Sequence, residues 1–489
     1  MRWMIRLAAV TVGLLLGNAA RASDLGIRDA RLVRSEGGSG PVWHAEFAIA
    51  WKNAWRNERN NDGAWVFLKV RAPGRGWRHA MLASAGHGAI PTENGPAAEL
   101  HVASDAVGAF IAPAIATRGS VAWAVRLALD ARTVEALERI GPTAEVAAFG
   151  VEMVRVPEGA FWVGEPGQRA VEHAAFYRCD AQGRPAGRYR VENESPIEVG
   201  PVEGMLHYGV EGNFAIFAGD RQGPVPAEFP KGFASFWCMK YELTQGQYAE
   251  FLNQIPASDT AHRALGGGLA SLAPDSRLSI RVQDGRFVAD HPARPANWVS
   301  WDDGCAWADW AGLRPMTEME FAKACRGPGE PPADDFPWGT ASKEGLKRVM
   351  GPDLDLVRTG DADEATLTDA RREPLGASYY WIMDLAGSVW ERCVTIGHPR
   401  GRAFKGTHGD GALNMGFATN EDWPASDHAP SWGGGYGYRG GGHYEAARVY
   451  EPGHFNPHSP VGWRRFGSWG QGPRSIAYGF RAVRTVDVQ

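Results

Sequence analysis

From Val151 to the C-terminus the chain is dense in tryptophan, glycine and proline and shows little helical periodicity. The full sequence of 489 residues contains 62 Gly and 20 Trp. Glycine allows turns that other residues form only with strain, and large amphipathic rings fill a core that lacks regular structure. This composition and the lack of helical periodicity predict an irregular fold with few helices.

The sequence nevertheless predicts two helices in this region. Thr317 followed by Glu320 has the pattern of a capping box and predicts a helix that runs into Cys325. A second helix is expected over residues 302–310, with one of its two leading aspartates as the N-cap and Gly312 just beyond its end.

Residues 23–130 show a different pattern, in which apolar and polar residues alternate. The alternation is clearest in Trp43–Trp51, Ala64–Val70 and Ser120–Leu127. A period of two, broken by turns that contain Asn, Gly and Pro, predicts the strands of an all-β sandwich. The polar run Asn57–Asp62 is expected to be a loop without chemistry.

These patterns divide the chain into four segments. Residues 1–22 are expected to be a signal peptide, residues 23–130 a β-sandwich accessory domain, residues 131–150 a short helical linker, and residues 151–489 a helix-poor domain. Gly and Pro recur without a clear period over about 181–230, which indicates an insertion. The predicted fold class is therefore α+β.

The signal peptide is inferred from the order of its parts. Arg2 and Arg6 precede the apolar run Leu7–Gly17, and an A-x-A tripeptide ends at Ala22. The alternative is a membrane anchor, but the run is much shorter than the ~20 residues that span a bilayer. We expect cleavage after Ala22, export to the periplasm or the extracellular space, and no transmembrane segment in the mature protein.

The charge balance and the cysteine content argue against several classes of function. Lys and Arg number 51 against 56 Asp and Glu, a net charge of -5, so no basic field is present to bind nucleic acid. The five cysteines include no CxxC pair, which argues against a zinc cluster or a thioredoxin-type motif. They are interpreted as small buried residues, with one or two disulfides left open and at least one thiol unpaired.

Seven fragments of the second region carry a family resemblance. They are Met153–Gly164, Lys240–Tyr248, Val299–Asp303, Arg314–Glu320, Phe336–Gly339, Met383–Glu391 and Tyr478–Arg484. In sequence and in order they resemble the sulfatase-modifying-factor family, the family of the formylglycine-generating enzyme. The resemblance covers residues 151–486 and implies a C-type-lectin-like fold. The N-terminal sandwich lies outside it and is similar to an accessory domain of some bacterial members only at the level of fold.

The resemblance implies a copper oxidase that requires a pair of cysteines soon after an Arg-Gly-Gly motif, because thiolates select Cu(I). Here the motif stands at Arg439–Gly441, and the cysteine positions are occupied by Glu445 and Tyr450. No cysteine follows Cys393. We therefore expect neither a copper site nor catalytic residues of the family's type.

Histidine is the alternative metal ligand in this region. His443, His454 and His458 lie close in sequence, but the last two flank a proline in a glycine-containing loop. They are interpreted as ordinary loop histidines. The iron-binding histidines of the related sulfoxide synthases reside in a separate helical domain, which this sequence does not contain.

The resemblance also implies a structural calcium site. Carried over residue by residue, its ligands are the side chains of Asp384 and Glu391 and the carbonyls of Gly387 and Val389. Hard oxygen ligands in a tight turn suit Ca²⁺. Ser388 stands where the family usually has Asn, a difference that bears on the geometry of the turn.

Aromatic and arginine side chains crowd the segment Trp423–Trp469. In lectin-like folds this region forms the ligand face, and such side chains give large contacts at a low cost in entropy. The alternative is that the rings only fill the core. The predicted ligand-binding residues are Trp432, Arg439, His443, Tyr444 and Trp463.

Three functions from different classes are compatible with these observations. The first is an exported module that binds an unknown protein or glycan or assists envelope assembly, without copper oxidase activity. The second is an enzyme of altered chemistry on the same fold. The third is a purely structural component of the envelope.

Overall fold

The structure is a computed structural model that describes most of the chain. The residues it describes are 25–37, 40–92, 95–209, 217–264, 277–342, 344–345, 368–424, 434–442, 460–470 and 474–486.

The N-terminal part is built from long strands. They are β1 (Gly26–Gly37), β2 (Gly40–Arg56), β3 (Asp62–Arg71), β4 (Arg78–Ala80), β5 (Gly88–Pro91), β6 (Ala98–Val102), β7 (Gly108–Pro113), β8 (Thr117–Ala128) and β9 (Glu145–Val156). The three alternating runs of the sequence are confirmed as parts of β2, β3 and β8. In β2 and β8 the apolar positions point inward because successive side chains of a strand lie on opposite faces, whereas β3 is buried on both faces.

Two layers of strands enclose the first hydrophobic core. One layer has the order β1-β2-β8-β5, and the other contains β9, β3, β7 and β6. Trp51 and Trp123 meet edge to face in this core, with ring centroids 5.2 Å apart. The predicted sandwich of strands is confirmed.

Short strands and short helices make up the rest of the chain. The strands are β10 (Phe161–Val163), β11 (Phe176–Cys179), β12 (Pro185–Gly187), β13 (Tyr189–Val191), β14 (Leu206–Tyr208), β15 (Phe236–Met239), β16 (Ile280–Gln283), β17 (Arg286–Ala289), β18 (Arg314–Pro315), β19 (Trp390–Val394), β20 (Leu413–Asn414), β21 (Phe417–Ala418), β22 (Tyr436–Arg439), β23 (Tyr478–Gly479) and β24 (Ala482–Thr485). The helices are α1 (Ala131–Ile140), α2 (Gly167–Glu172), α3 (Gln245–Leu252), α4 (Ala257–Arg263), α5 (Trp301–Trp310), α6 (Glu318–Cys325), α7 (Arg372–Leu375) and α8 (Pro399–Arg402). This is the predicted helix-poor α+β fold.

Strand β9 joins the two halves of the molecule in one sheet with the order β18-β24-β15-β9-β3-β7-β6. It pairs with β3 along its length and with β15 through Met153–Val156. The prediction of a linker over 131–150 is therefore wrong in its second half. Helix α1 is present as expected, but from Glu145 onward the chain is already part of the central sheet.

The polar run Asn57–Asp62 also differs from the prediction at its end. Asp62 begins β3 and is fully buried. Its carboxylate accepts hydrogen bonds from the backbone N–H of Trp55 at 2.9 Å and from the Trp51 indole at 3.2 Å, and it lies 3.5 Å from Lys240 Nζ. The ammonium of Lys240 also pairs with Glu152 of β9. This buried ion cluster joins the sandwich to the C-terminal half.

Capping boxes begin helices α3, α5 and α6 of the second half. Thr317 caps α6 and Glu320 closes the box, as predicted. Helix α5 is confirmed, but its N-cap is Ser300 rather than an aspartate, because Asp303 is already the third helical residue and accepts from the Ser300 N–H at 2.8 Å. Gly312, with φ 69°, ends the helical segment as expected.

The segment predicted as an insertion is tied to its neighbours by strand pairing. Strand β13 pairs with β10, and β14 pairs with β11. A second hydrophobic core spans both halves, since Trp65 and Phe110 of the sandwich belong to the same cluster as Trp237 and Trp310. Among the described residues, none of the helices has the length and apolar character needed to cross a bilayer.

Candidate functional site

The four residues predicted to bind calcium lie in a tight turn and in the strand that follows it. Asp384, Gly387 and Val389 precede β19, and Glu391 is its second residue. Asp384 and Ser388 have φ of 62° and 59°, and Gly387 has φ 85°. The left-handed conformation suits Asn better than Ser, so Ser388 holds a conformation that the family's usual residue adopts more readily. The turn is fixed by a hydrogen bond from Gly387 N–H to the Gly440 carbonyl at 2.9 Å.

Both carboxylates of this turn, Asp384 and Glu391, are fully buried. A third buried carboxylate, Glu242, accepts a hydrogen bond from Val389 N–H at 3.1 Å. Sequence analysis did not find Glu242, although it stands in the recognised fragment Lys240–Tyr248. Its proximity became evident only when the fold brought the two fragments together.

Glu391 is the carboxylate of this turn whose surroundings bear most directly on the calcium prediction. One of its oxygens accepts from Arg481 Nη2 at 3.2 Å, whereas its other oxygen is buried without a hydrogen-bond partner among the described residues. Burial raises the pKa of Glu391 well above its usual value, Glu242 adds to the rise, and Arg481 opposes it. An orphaned buried carboxylate oxygen fits Ca²⁺ as a ligand.

Backbone carbonyls would have to complete such a site. Within the described ranges, no group of three or more His, Cys, Asp or Glu side chains is arranged to hold a metal ion. A calcium site here would therefore also need the carbonyls of Gly387 and Val389, which the family resemblance implies as ligands. Calcium binding stays a prediction.

Arg439, predicted to bind ligand, is only 3% exposed. It donates to Glu318 at 2.5 Å and to the Trp463 carbonyl at 3.1 Å. Arg464 donates to the same glutamate at 2.9 Å. Burial opposes a charge on Glu318, but the two guanidinium groups outweigh it and lower the pKa of Glu318 to about 2. In the structure Arg439 thus serves a buried ion cluster rather than a surface contact.

An aromatic cluster covers the other face of β19, β22 and β23. Its members, which we call the C-terminal aromatic cluster, are Trp390, Tyr438, Trp463, Phe466, Trp469 and Tyr478. Trp463 is 5% exposed, so for this predicted ligand residue the structure shows a packing role. Trp469 and Tyr478 are half-buried and keep part of their rings at the surface.

Arg392 lies beneath this cluster and was missed by sequence analysis. It is fully buried, and its guanidinium lies 4.8 Å from the Tyr438 ring centroid and 5.2 Å from that of Tyr478. A cation between two aromatic faces is a stabilising arrangement when desolvated. The signal in the sequence was a charged residue directly after Trp390-Glu391, at a position that faces the aromatic side of β19.

Several predicted residues lie outside the described residues. They are Trp432, His443, Tyr444, Glu445, Tyr450, His454 and His458. All five cysteines are described, and each is a buried thiol without a disulfide partner. The interpretation of the cysteines as small buried residues is confirmed, and so is the presence of free thiols.

Comparison with known families identifies the family of the C-terminal half. Residues 207–486, more than half of the chain, match the family described as the sulfatase-modifying factor enzyme 1-like domain. The chain belongs to this family. The sulfatase-modifying-factor resemblance inferred from the seven fragments is thereby confirmed.

Curated relatives in this family include proteins with different names. A formylglycine-generating enzyme of Thermomonospora curvata is 35% identical over 113 residues, which cover 22% of this chain and 36% of the relative. A hercynine oxygenase of Mycolicibacterium smegmatis is 35% identical over 219 residues, 42% of this chain and 46% of the relative. A formylglycine-generating enzyme of Bos taurus is 22% identical over 258 residues, which cover 47% of this chain and 65% of the relative. The chain thus spans from about a third to about two thirds of the length of these relatives.

Proposed function

We propose that this protein is an exported binding or envelope-assembly module of the sulfatase-modifying-factor family that lacks copper oxidase activity. The observation that carries the proposal is the state of its thiols. The family's oxidase requires two thiolates, whose positions hold Glu445 and Tyr450 here, and no cysteine follows Cys393. The existing thiols are all buried, and burial raises the pKa of Cys393 well above its usual value.

In this proposal the ligand binds to a surface formed by the C-terminal part of the chain, which we call the C-terminal face. The half-buried rings of Trp469 and Tyr478 form one part of it, and the predicted residues Trp432, His443 and Tyr444 supply the rest in this proposal. Amphipathic rings bury large areas while losing little conformational entropy. The ligand class is a protein or a glycan of the cell envelope.

The absence of oxidase activity is tested by co-expression with a sulfatase of the cysteine type. Mass spectrometry of the sulfatase then measures conversion of its active-site cysteine to formylglycine. We expect no conversion above an empty-vector control, while a formylglycine-generating enzyme in place of this protein should convert the cysteine. Conversion by this protein would show that it is an oxidase after all.

The relationship to a hercynine oxygenase favours a second candidate, an enzyme of altered chemistry on this fold. Metal analysis of the full-length purified protein separates the two candidates. Calcium without a redox metal supports the binding module, whereas a stoichiometric redox metal supports the enzyme. Export is tested on the same sample, since intact mass reports whether residues 1–22 have been removed.

A further inference from the structure

The loop that joins β3 to β4 carries three arginines and a tryptophan at the surface of the sandwich. It runs from Arg71, the last residue of β3, to Arg78, the first residue of β4, and its tip is exposed. A side chain added at Gly74 or Gly76 would meet no heavy atom within 4 Å. The tip therefore projects away from the rest of the described structure. We call this segment the arginine loop.

A hydrogen-bonded turn gives the tip a defined shape. The N–H of Arg75 donates to the Ala72 carbonyl at 3.0 Å, and Gly74 has φ 72°. Pro73 followed by a glycine of positive φ is the pattern of a type II turn. The backbone that presents Arg75 is therefore held in place before a partner binds, which lowers the entropy cost of binding.

Trp77 belongs to none of the hydrophobic clusters that the described residues form. It is half-buried, and the guanidinium of Arg71 lies 4.3 Å from its ring centroid. Arg71 is fixed in turn by Glu145, whose carboxylate accepts from its Nε at 2.7 Å. A tryptophan that packs in no core and rests on an anchored cation is suited to contact a partner, and tryptophan is enriched at the centres of binding surfaces.

Two arginines of the loop keep their charge uncompensated. Arg75 and Arg78 are exposed, and within the described part of the chain neither guanidinium forms a salt bridge or a hydrogen bond. Elsewhere in the sandwich, Arg31 and Arg126 share the carboxylate of Glu46. Because Glu145 already neutralises Arg71, the arginine loop presents two free positive charges beside an aromatic ring. Charge complementarity calls for an anionic partner.

The residues of the loop narrow the kind of anion. Insertion into a membrane surface would need apolar side chains at the tip, which consists of Pro73, Gly74, Arg75 and Gly76. Tight binding of nucleic acid draws on many phosphate contacts, more than two free arginines supply. Arginine binds carboxylates through charge-assisted hydrogen bonds, and an indole offers a flat amphipathic surface to the C–H face of a sugar ring. We propose that the arginine loop binds a linear acidic polysaccharide whose sugar rings carry carboxylates.

This surface is independent of the proposed C-terminal face, so either proposal can fail without the other. Isothermal titration calorimetry of the full-length protein with sodium polygalacturonate tests it, at constant ionic strength and with EDTA to prevent cross-linking of the polymer by calcium. Methyl-esterified polygalacturonate has the same sugar rings without the charge, and poly-L-glutamate has carboxylates without sugars. We expect saturable binding of polygalacturonate and at least tenfold weaker binding of each control polymer.

Variants separate the roles of charge and ring. Arg75→Ala should weaken polygalacturonate binding at least tenfold. Trp77→Ala should weaken it to the level of poly-L-glutamate, because it removes the contact with the sugar. Arg28→Ala, a change at an exposed arginine of β1 in the other layer of strands, removes the same charge and should leave binding unchanged. All three variants should melt like the wild type, since none of these side chains belongs to a hydrophobic cluster of the described residues.

Three results would overturn the proposal. The first is the absence of saturable binding, or equal affinity of the wild type and Arg75→Ala. The second is binding of poly-L-glutamate as tight as that of polygalacturonate, which would show attraction by charge alone. The third is binding to vesicles that contain phosphatidylglycerol but not to polygalacturonate, which would assign the loop to a membrane surface instead.

Discussion

Single buried charges in this protein are held by partners from distant parts of the chain. Lys240 lies fully buried between Asp62 and Glu152, and Arg484 donates to Asp105 at 2.5 Å. Each pair joins the sandwich to the C-terminal half. Breaking such a pair by removing one partner leaves an uncompensated charge, which typically costs about 3–5 kcal/mol.

His408 lies between these halves as a neutral imidazole, with its side chain 15% exposed. Its Nε2 accepts a hydrogen bond from Thr485 N–H at 3.1 Å, and its other nitrogen lies 3.7 Å from Asp105. Burial, with Arg484 nearby, lowers the pKa of His408 to about 4. Between this value and the unfolded value of about 6.5, the unfolded chain binds more protons. The free energy of unfolding should therefore fall as the pH drops through this window, by up to about 3 kcal/mol from His408.

Urea denaturation at pH 7 and at pH 4.5 measures this dependence. His408→Gln cannot titrate, yet its amide oxygen can still accept from Thr485, so the variant should lose a smaller share of its stability on acidification. His262→Gln, a change at an exposed histidine, should behave like the wild type. An unchanged pH dependence in His408→Gln would contradict the assignment.

At the scale of elements, the sequence predicted the helices and strands that are determined by residues close together in the chain. The box of Thr317 and Glu320 identified α6, and alternation identified β2, β3 and β8. Strand β9 was missed because it owes its extended form to pairing with β3 and β15, and strand propensity depends strongly on such context. Glu242 and Arg481 were missed at the calcium turn for the same reason, since only the fold brings them to Glu391.

The turn from Asp384 to Glu391 is the element on which calcium binding is tested. If Ca²⁺ binds only the folded protein, it stabilises by about 2.7 kcal/mol at a hundredfold excess over Kd. We expect the protein to melt a few degrees higher in millimolar calcium than in EDTA. Glu391→Gln and Asp384→Asn should each remove most of this difference, because each deletes a charged ligand.

Two further variants sharpen the calcium test. Glu242→Gln should reduce the difference in melting temperature, because Glu242 adds negative charge at the turn and positions Val389. Glu421→Gln, a change at an exposed glutamate, should preserve it. Identical melting of the wild type in calcium and in EDTA would mean that the turn is held without metal.

At the scale of the molecule, the sandwich is continuous with the family domain. Composition and patterning predicted two units in the chain, but they could not show that one sheet passes through both. Trp65 of β3 donates to the Ala311 carbonyl at 2.8 Å and packs in the shared core. Contacts of this kind connect residues far apart in sequence, so no local pattern reports them.

We therefore expect the full-length protein to unfold in one cooperative transition. Differential scanning calorimetry should show one peak, and Lys240→Ala should shift that peak downward without splitting it. A chain that lacks residues 23–144 should fail to fold, because it loses β3 and leaves an edge of β9 unpaired. Two separate peaks, or a folded truncated chain with protected amides, would show that the halves are independent.

The position of β24 has a consequence for biosynthesis. Strand β15 pairs with β24, which the ribosome adds long after β15, whereas β3 is made before both. The sandwich can form once β9 has emerged, but one side of β15 has no partner until β24 has been synthesised. Contacts of such long range slow folding, and an open strand edge invites aggregation meanwhile. Chains that terminate before Ala482, the first residue of β24, should consequently be retained by chaperones.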